Sequence, residues 1–421
     1  MKKIVVISFL ILSCSAVFSQ KIIGDWLANI DVNGQQIPIV FHFNKDRQGK
    51  VNGTWDSPKQ KAFGLPFSDI AIKGDSIILL IKMISGSYKG KVIVNDSIVG
   101  LWHQGAGETA LNFSRSFKNT IDSTNKLLPG EKELAVTSLG TKIYGTLLSK
   151  NNRQKLVIII AGSGPTDREG NNPIGVEANS YKMIAQSLDS QNIASFRYDK
   201  RGVAKSLPAD FVESKLLFDD YIKDAETIFN YLFDTLGFKN IYFIGHSEGS
   251  LIGIVAAEKK GVKAFISLAG SGRPINEVIE EQVKSQLPDS LQRKVNFILN
   301  ELRKGNQVND IPQSLTFLFR KSIQPYFISW LKYSPTKEIN KLNCPVLILQ
   351  GTCDKQIQLK DAQNLHNANK KSALHIISLM THTLKNADEN CKDEKNKTYT
   401  DGSLPLNTIL VKDIVTFIKK N

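Results

Sequence analysis

A serine lies between two glycines at the point where an apolar stretch meets a helical pattern. The stretch NIYFIG, residues 240–245, indicates a buried strand, and SLIGIVAAEKK, residues 250–260, indicates a helix. A sharp turn from strand to helix requires Gly245 and Gly249, because a Cβ at either position would clash. Such a turn exposes Ser247 at the helix N-terminus, where the helix dipole favours negative charge. The pattern predicts a nucleophilic serine, with a merely tight structural turn as the alternative.

A serine hydroxyl is a weak nucleophile unless a neighbouring base removes its proton. Among the six histidines, His382 stands just after the last predicted strand, whereas His375 lies inside that strand and is expected to be a core residue. Asp354 follows the apolar run CPVLILQG and can orient an imidazole. Serine, acid and histidine then occur in the chain order expected for this kind of turn. Asp361 is the alternative acid, and a turn or helix-cap role is the alternative for Asp354.

Acyl transfer also requires hydrogen-bond donors for the oxyanion of the tetrahedral intermediate. The backbone N–H of Glu248, the residue after the serine, is one candidate. The loop after the apolar run LVIIIAG supplies the other, at Ser163. Gly162 and Gly164 allow that backbone to approach a substrate closely. Loss of one such donor typically lowers the rate about 100- to 1000-fold.

From about Leu134 onward, predicted strands alternate with predicted helices. Runs such as KLVIII and CPVLILQG are continuously apolar, as buried parallel strands are. Strands separated by helices pair in parallel through crossovers. We therefore predict an α/β domain with a doubly wound, mostly parallel sheet over residues 134–421. A helical insertion at about 273–341 is predicted to form a cap, whose aromatic residues pack onto the core, line an apolar pocket over Ser247, or do both.

The N-terminal part of the chain shows a different pattern. Short alternating runs separated by Gly, Asn, Asp and Pro fill residues 20–117. They predict a small antiparallel all-β domain, either a sandwich or a barrel. The polar segment 118–133, which contains a Pro-Gly pair, is a predicted linker.

Several motifs in the second domain resemble those of the α/β-hydrolase superfamily: AGSGPTDREGN, FRYDKRGVAKS, IGHSEGS, IQPYFISWLKYSP, VLILQGTCDKQI and the Thr-His pair after the last strand. More narrowly, the chain from about Leu134 to its end resembles bacterial carboxylesterase-like members of the serine-aminopeptidase-type branch. A β-domain ahead of such a hydrolase resembles secreted enzymes of the Bacteroidetes type. Two positions depart from the usual family pattern, Ser250 in place of a second glycine and Thr381 in place of asparagine.

The resemblance implies specific roles for the candidate residues. The catalytic triad would consist of Ser247, Asp354 and His382, and the oxyanion would accept hydrogen bonds from the backbone of Ser163 and Glu248. The implied function is hydrolysis of small carboxylic esters through an acyl-enzyme, without a metal or another cofactor.

Two further interpretations of the function stay open at this stage. A peptidase that releases N-terminal residues would need an acidic group to hold an amine, and Glu248, Glu280 and Glu281 are the candidates. An envelope- or glycan-binding protein with an inactive hydrolase domain would need exposed aromatic residues, for which Trp55 and Trp102 are candidates.

Two polar motifs near the predicted strand ends need an explanation other than the triad. In RYDKRG, we expect Asp199 and Arg201 to organise the turn after a strand through buried hydrogen bonds. In PTDREGNN, Asp167, Arg168 and Asn171 either line the rim of the pocket or hold the loop in place.

The composition is that of an ordinary folded protein. The 421 residues are 41% hydrophobic and 22% charged, which excludes disordered, fibrous and multi-spanning classes. The net charge is +14, but the lysines are scattered and no nucleic-acid-binding motif occurs, so no nucleic-acid partner is expected. The sequence does not predict the oligomeric state.

The first residues form a predicted signal peptide. A short positive region precedes the apolar run IVVISFLILS, and small residues follow, which places cleavage between Ser19 and Gln20. We therefore expect an exported protein, periplasmic or secreted, with no membrane-spanning segment after cleavage. An uncleaved anchor and lipidation at Cys14 are the alternatives.

The four cysteines fit no zinc-site spacing. Cys353 and Cys391 are both expected at the carboxyl end of the sheet, whereas Cys344 begins a strand and is expected at the opposite end. In an oxidising compartment, a Cys353–Cys391 disulfide would join the acid loop to the histidine loop. We treat this pairing as a hypothesis.

Overall fold

The computed structural model describes residues 22–421 except 33–34, 47–48, 58–61, 83–84, 94–96, 105–106, 116–126, 150–153, 173–174, 209–210, 285–286 and 394–396. The predicted signal peptide, Cys14 and residues 118–126 of the predicted linker lie outside the described residues. The chain forms two compact units, Met1–Lys126 with Pro312–Phe317 and Leu127–Ile311 with Leu318–Asn421. No helix within the described ranges has the length and apolar character needed to cross a membrane.

The first unit contains one antiparallel sheet of ten strands. Its order is β4-β3-β2-β1-β10-β8-β7-β6-β5, with β9 paired to β8. The strands are β1 (Gly24–Val32), β2 (Gln35–Lys45), β3 (Val51–Ser57), β4 (Ala62–Pro66), β5 (Asp69–Lys73), β6 (Ser76–Ile81), β7 (Gly86–Ile93), β8 (Ser97–Gln104), β9 (Gly107–Ala110) and β10 (Phe113–Ser114). A single half-barrel sheet agrees with the barrel alternative and not with a two-sheet sandwich.

Aromatic side chains fill the buried face of this sheet. Strand alternation puts every second residue on that face, and Phe41 and Phe113 stack there with ring centroids 4.0 Å apart. Trp55 and Trp102 are also buried, with rings 6.4 Å apart. These two tryptophans are core residues, so they do not provide the exposed aromatic surface that the glycan-binding alternative required.

The second unit contains an eight-stranded sheet in the order β11-β12-β14-β13-β15-β16-β17-β18. The strands are β11 (Glu131–Ser138), β12 (Thr141–Leu148), β13 (Lys155–Ile160), β14 (Ala194–Tyr198), β15 (Asn240–His246), β16 (Phe265–Leu268), β17 (Val346–Gly351) and β18 (Ala373–Ile377). β11, β12 and β14 pair antiparallel, and the remaining pairs are parallel. The predicted doubly wound, mostly parallel α/β sheet is confirmed.

Helices follow most of the parallel strands. They are α1 (Ser180–Asp189), α2 (Phe218–Asn230), α3 (Glu248–Lys260), α4 (Ile275–Lys284), α5 (Asp289–Arg303), α6 (Thr316–Phe319), α7 (Gln324–Trp330), α8 (Pro335–Ile339), α9 (Leu359–Ala368), α10 (Lys397–Thr400) and α11 (Thr408–Lys420). A π-helical turn, Tyr231–Thr235, extends α2. The central strands β13 to β17 are buried along almost their whole length, as strands covered by helices are.

The insertion between β16 and β17 is helical and comprises α4 to α8. The aromatic residues of α7 are buried, and Trp330 stacks on Phe218 of α2 with ring centroids 5.3 Å apart. Tyr326 contacts the same ring at 6.1 Å. Packing onto the core is therefore the observed role of these two aromatic residues.

His375 is not a core residue, contrary to the prediction. Its side chain is 49% exposed, and its Nδ1 shares a hydrogen bond with the Asp413 carboxylate of α11. The physical reason is that β18 is the edge strand of the sheet, and only its last residue, Ile377, is fully buried.

Candidate active site

Ser247 occupies the turn between β15 and α3, at the carboxyl edge of the second sheet. Its backbone has φ 54° and ψ −119°, a strained conformation for a residue with a side chain. A Cβ on Gly245 would lie 2.3 Å from the carbonyl oxygen of Gly249, and a Cβ on Gly249 would lie 2.3 Å from that of Ile160. Both flanking glycines are therefore required, for the reason that the sequence indicated.

His382 and Asp354 meet at the same edge of the sheet. The His382 Nδ1 lies 2.8 Å from the Asp354 Oδ2, and the two side chains are 8% and 0% exposed. Since a carboxylate oxygen accepts, the Nδ1 carries a proton and donates it to Asp354.

Several donors hold the Asp354 carboxylate. Oδ1 accepts hydrogen bonds from the backbone of Gln356 and Ile357 at 2.8 and 2.9 Å. Oδ2 also accepts from the Gln350 amide at 3.1 Å. Burial raises the pKa of Asp354, but the charge of His382 and these hydrogen bonds outweigh it, so that the pKa lies below its usual value. The carboxyl group is therefore ionised at neutral pH.

The alternative acid, Asp361, is bound elsewhere. Its carboxylate accepts hydrogen bonds from the Arg273 guanidinium at 2.9 and 2.8 Å and from the Gly272 N–H at 3.1 Å. This arrangement ties the start of the helical insertion to α9. Asp361 therefore has a structural partner, and Asp354 is the acid that contacts His382.

The loop after β13 lies against the serine. A Cβ on Gly162 would be 3.2 Å from the Ser247 Cβ. Ser163 follows at an exposed position, and Glu248 is the first residue of α3, where a backbone N–H has no partner within the helix. The two predicted oxyanion donors thus lie on the two segments that meet at Ser247.

Counted from β11, the strand order is 1-2-4-3-5-6-7-8, and the serine turn follows the fifth strand. The family described as serine aminopeptidase, S33, matches residues 174–322, a stretch that includes Ser247 and ends before Asp354 and His382. The esterase EstD of Thermotoga maritima is 29% identical over 237 residues, which are 55% of this chain and 54% of that protein. This strand order, with a strained serine turn after the fifth strand, gives the second unit the α/β-hydrolase fold. The chain spans about half the length of this curated relative.

Several solved structures resemble this chain at low identity. Est1E of Butyrivibrio proteoclasticus with bound ferulic acid is 18% identical, with a TM-score of 0.45, over 68% of this chain and 100% of that one. The Pyrococcus furiosus esterase Pf2001 is 14% identical, with a TM-score of 0.46, over 69% and 91%. Proline iminopeptidase of Mycobacterium smegmatis is 12% identical, with a TM-score of 0.44, over 69% and 98%. The fold of the second unit is established by its own strand order.

A second histidine, His246, supports the loop that carries His382. The sequence did not reveal this role. The His246 Nε2 donates to the carbonyl oxygen of His382 at 2.8 Å, and the Nδ1 accepts from the Tyr181 hydroxyl at 2.8 Å. Burial and the neighbouring charge of His382 lower the pKa of His246 to about 3, so the ring is neutral. Its position beside the serine was the only available signal.

The hypothesis of a Cys353–Cys391 disulfide is confirmed. The two cysteines are bonded, with their Cα atoms 5.0 Å apart. Cys353 immediately precedes Asp354, and its N–H donates to the Met380 carbonyl at 3.1 Å. The disulfide therefore connects the acid loop to the chain that follows His382. Within the described residues, Cys344 is the free thiol, and burial raises its pKa to about 11.

The two polar motifs have structural roles in the second unit. Asp199 accepts hydrogen bonds from the Arg168 backbone at 2.9 Å and from its guanidinium at 2.6 Å. Arg201 binds Asp224. Asp167 accepts from the Asn171 N–H at 2.9 Å, so these residues hold the loop in place. The expected roles of Asp199 and Arg201 are confirmed.

Two of the three acids considered for amine binding have partners within the second unit. The Glu248 carboxylate is buried, accepts from the Tyr326 hydroxyl and lies 3.8 Å from the Lys200 Nζ. Glu281 forms ion pairs with Arg273 and Lys360. Lys200 had no role in the sequence-based prediction.

Proposed function

We propose that this protein is a serine esterase that cleaves small carboxylic esters through an acyl-enzyme on Ser247. The observation that carries the proposal is the buried hydrogen bond between Asp354 and His382 at the sheet edge that presents Ser247. An ionised acid that accepts a hydrogen bond from an imidazole is the arrangement that activates a serine hydroxyl.

The proposed mechanism follows from the atoms at this edge. Ser247 Oγ attacks the ester carbonyl while the His382 Nε2 takes its proton, and Asp354 stabilises the imidazolium that forms. The N–H groups of Ser163 and Glu248 donate to the oxyanion. His382 then protonates the leaving alcohol. Water enters, loses a proton to His382 and releases the carboxylic acid from Ser247 by the same route.

A peptidase is the second candidate, because the matched family is described as serine aminopeptidase. A peptidase of this kind must hold the substrate's N-terminal ammonium with an acceptor. Glu248 and Glu281 are already neutralised by Lys200 and by Arg273 with Lys360. This pairing supports the ester over the amine-bearing peptide.

Parallel assays on one preparation distinguish the candidates. The mature chain from Gln20 is given nitrophenyl esters of two- to eight-carbon acids and, separately, aminoacyl nitroanilides, with Ser247→Ala as the control. We expect ester turnover that Ser247→Ala abolishes. Comparable kcat/KM on the anilides would favour the peptidase, and ester turnover that survives in Ser247→Ala would contradict the assigned nucleophile.

Export is part of the proposal and is supported by the predicted signal peptide. The expected mature chain starts at Gln20, and intact mass of protein recovered from the periplasm or medium measures this directly. A mass that retains residues 1–19 would indicate an uncleaved anchor, and a lipid adduct on Cys14 would indicate lipidation.

A further inference from the structure

The side chain of Lys200 is a buried amine that does not belong to the Ser-His-Asp triad. It lies two residues beyond β14, and its side chain is 2% exposed. Burial lowers the pKa of Lys200, while Glu248 acts in the opposite direction. Burying a charged amine is unfavourable unless it is paired and hydrogen-bonded, so the contacts of this side chain require a reason.

The shortest of these contacts is to the loop after β13. The Lys200 Nζ donates to the carbonyl oxygen of Gly162 at 2.6 Å. It also lies 3.8 Å from the Glu248 carboxylate and 4.8 Å from the centre of the Tyr221 ring. The amine is thus enclosed by a carbonyl, a carboxylate and an aromatic face.

The contact with Gly162 determines where a neighbouring N–H points. The Gly162 carbonyl and the Ser163 N–H belong to one planar peptide unit, in which oxygen and hydrogen point in opposite directions. Holding the oxygen fixes the N–H, and a positive group at the oxygen makes that N–H a stronger donor. The Gly162 N–H is held separately by the Tyr181 hydroxyl at 3.0 Å, so this residue is fixed from both sides.

Lys200 also reaches the residue that carries the second donor. Glu248 supplies the first N–H of α3, and its carboxylate lies between the Lys200 Nζ and the Tyr326 hydroxyl of the cap helix α7. Lys200 therefore contacts Gly162, whose carbonyl shares a peptide unit with the Ser163 donor, and it contacts Glu248, which carries the second donor.

We propose that Lys200 is a positioning residue of the oxyanion hole. It holds the Gly162–Ser163 peptide and the Glu248 side chain so that both N–H groups face the developing oxyanion. It acts through these two backbone segments and not on the reacting atoms. This inference rests on the proposed serine-hydrolase function.

The test uses a readout that does not depend on the ester. A fluorophosphonate reacts with an activated serine and places its phosphoryl oxygen in the oxyanion hole, so its labelling rate at Ser247 is measured for the wild type and Lys200→Met. We expect the labelling rate and kcat to fall about 100-fold while KM changes little. Lys205→Met, which removes an exposed lysine paired with Glu133, is the matched control and should label at the wild-type rate.

A double variant separates positioning from folding. Lys200→Met leaves Glu248 buried without its cation, whereas Lys200→Met with Glu248→Gln removes both charges. We expect the double variant to recover thermal stability but not the labelling rate, and Lys200→Arg to recover part of the rate. A labelling rate in the double variant equal to that of the wild type would overturn the inference.

The same measurements distinguish this inference from the proposed function. Wild-type labelling at Ser247 without ester turnover would contradict the esterase proposal, while the variant rates would still decide the role of Lys200. A wild-type protein that does not label at Ser247 would overturn both.

Discussion

On one side of Ser247, the loops that carry Asp354 and His382 are joined by the Cys353–Cys391 disulfide and by backbone hydrogen bonds. On the other side, the Gly162 loop and Glu248 are held by noncovalent contacts with the buried Lys200 amine. A disulfide restrains a loop whatever the charges of the side chains around it. A buried amine restrains its partner and also polarises the peptide that it contacts. We infer that Asp354 and His382 need a fixed separation, whereas the oxyanion donors need fixed orientations of their peptide dipoles.

The largest expected effect compares two buried aspartates of the same sheet edge. Asp354→Asn should lower kcat about 10,000-fold, because an amide allows the wrong tautomer of His382. Asp361→Asn should lower the melting temperature, since Arg273 loses a charged partner, while kcat stays within roughly three-fold of the wild type. Ester kinetics and thermal melts of both variants measure this, and a large kcat loss in Asp361→Asn would reverse the assignment.

Removal of the disulfide tests the covalent side. The bond closes a loop with a sequence separation of 38, so Cys353→Ser with Cys391→Ser should lower the free energy of unfolding by roughly 2–4 kcal/mol. Loosening of the Asp354 loop should also reduce kcat. Urea unfolding with and without reductant measures the first effect. Cys344→Ser is the control, and a wild-type unfolding curve that reductant leaves unchanged would contradict the assigned role.

One hydroxyl joins the two sides. Tyr181 accepts from the Gly162 N–H at 3.0 Å and donates to the His246 Nδ1 at 2.8 Å. Tyr181→Phe leaves both buried partners unsatisfied, and we expect kcat to fall about ten-fold. Tyr333→Phe, which removes a hydroxyl that donates to Asp219 at 2.6 Å, is the matched control. Equal kcat values for the two variants would show that Tyr181 does not link the two sides.

The last comparison concerns acid stability. The pKa of His246 falls from 6.5 to about 3 on folding, so the unfolded chain binds more protons than the folded chain between these pH values. The free energy of unfolding therefore decreases as the pH falls through this window, by at most about 1.4 kcal/mol per pH unit. His246→Phe should flatten that dependence. Urea midpoints across this range measure both slopes; parallel slopes in His246→Phe and the wild type would exclude the proposed neutral burial.

The signals that the sequence carried were local. Gly245 and Gly249 around Ser247 mark a strained strand-to-helix turn, and continuous apolar runs mark strands that are covered on both faces. Asp354 and His382 follow such strands, and parallel strands bring their carboxyl ends to one edge. These features sufficed for the fold class and for candidate residues. Alternation in the first unit likewise predicted strands, but not that they form one sheet instead of two.

The remaining contacts depended on the strand order, which no local pattern specifies. The Lys200–Gly162, Tyr181–His246 and His246–His382 bonds join residues separated by 38, 65 and 136 positions. The first two bonds form because β14 and β15 flank β13 in the sheet, and the third forms because the segment after β18 returns to the end of β15. The edge position of β18 exposed His375 for the same kind of reason. The sequence by itself determined which residues could carry the chemistry. The tertiary structure decided which buried groups hold those residues in place, because the order of strands in a sheet depends on packing over the whole domain.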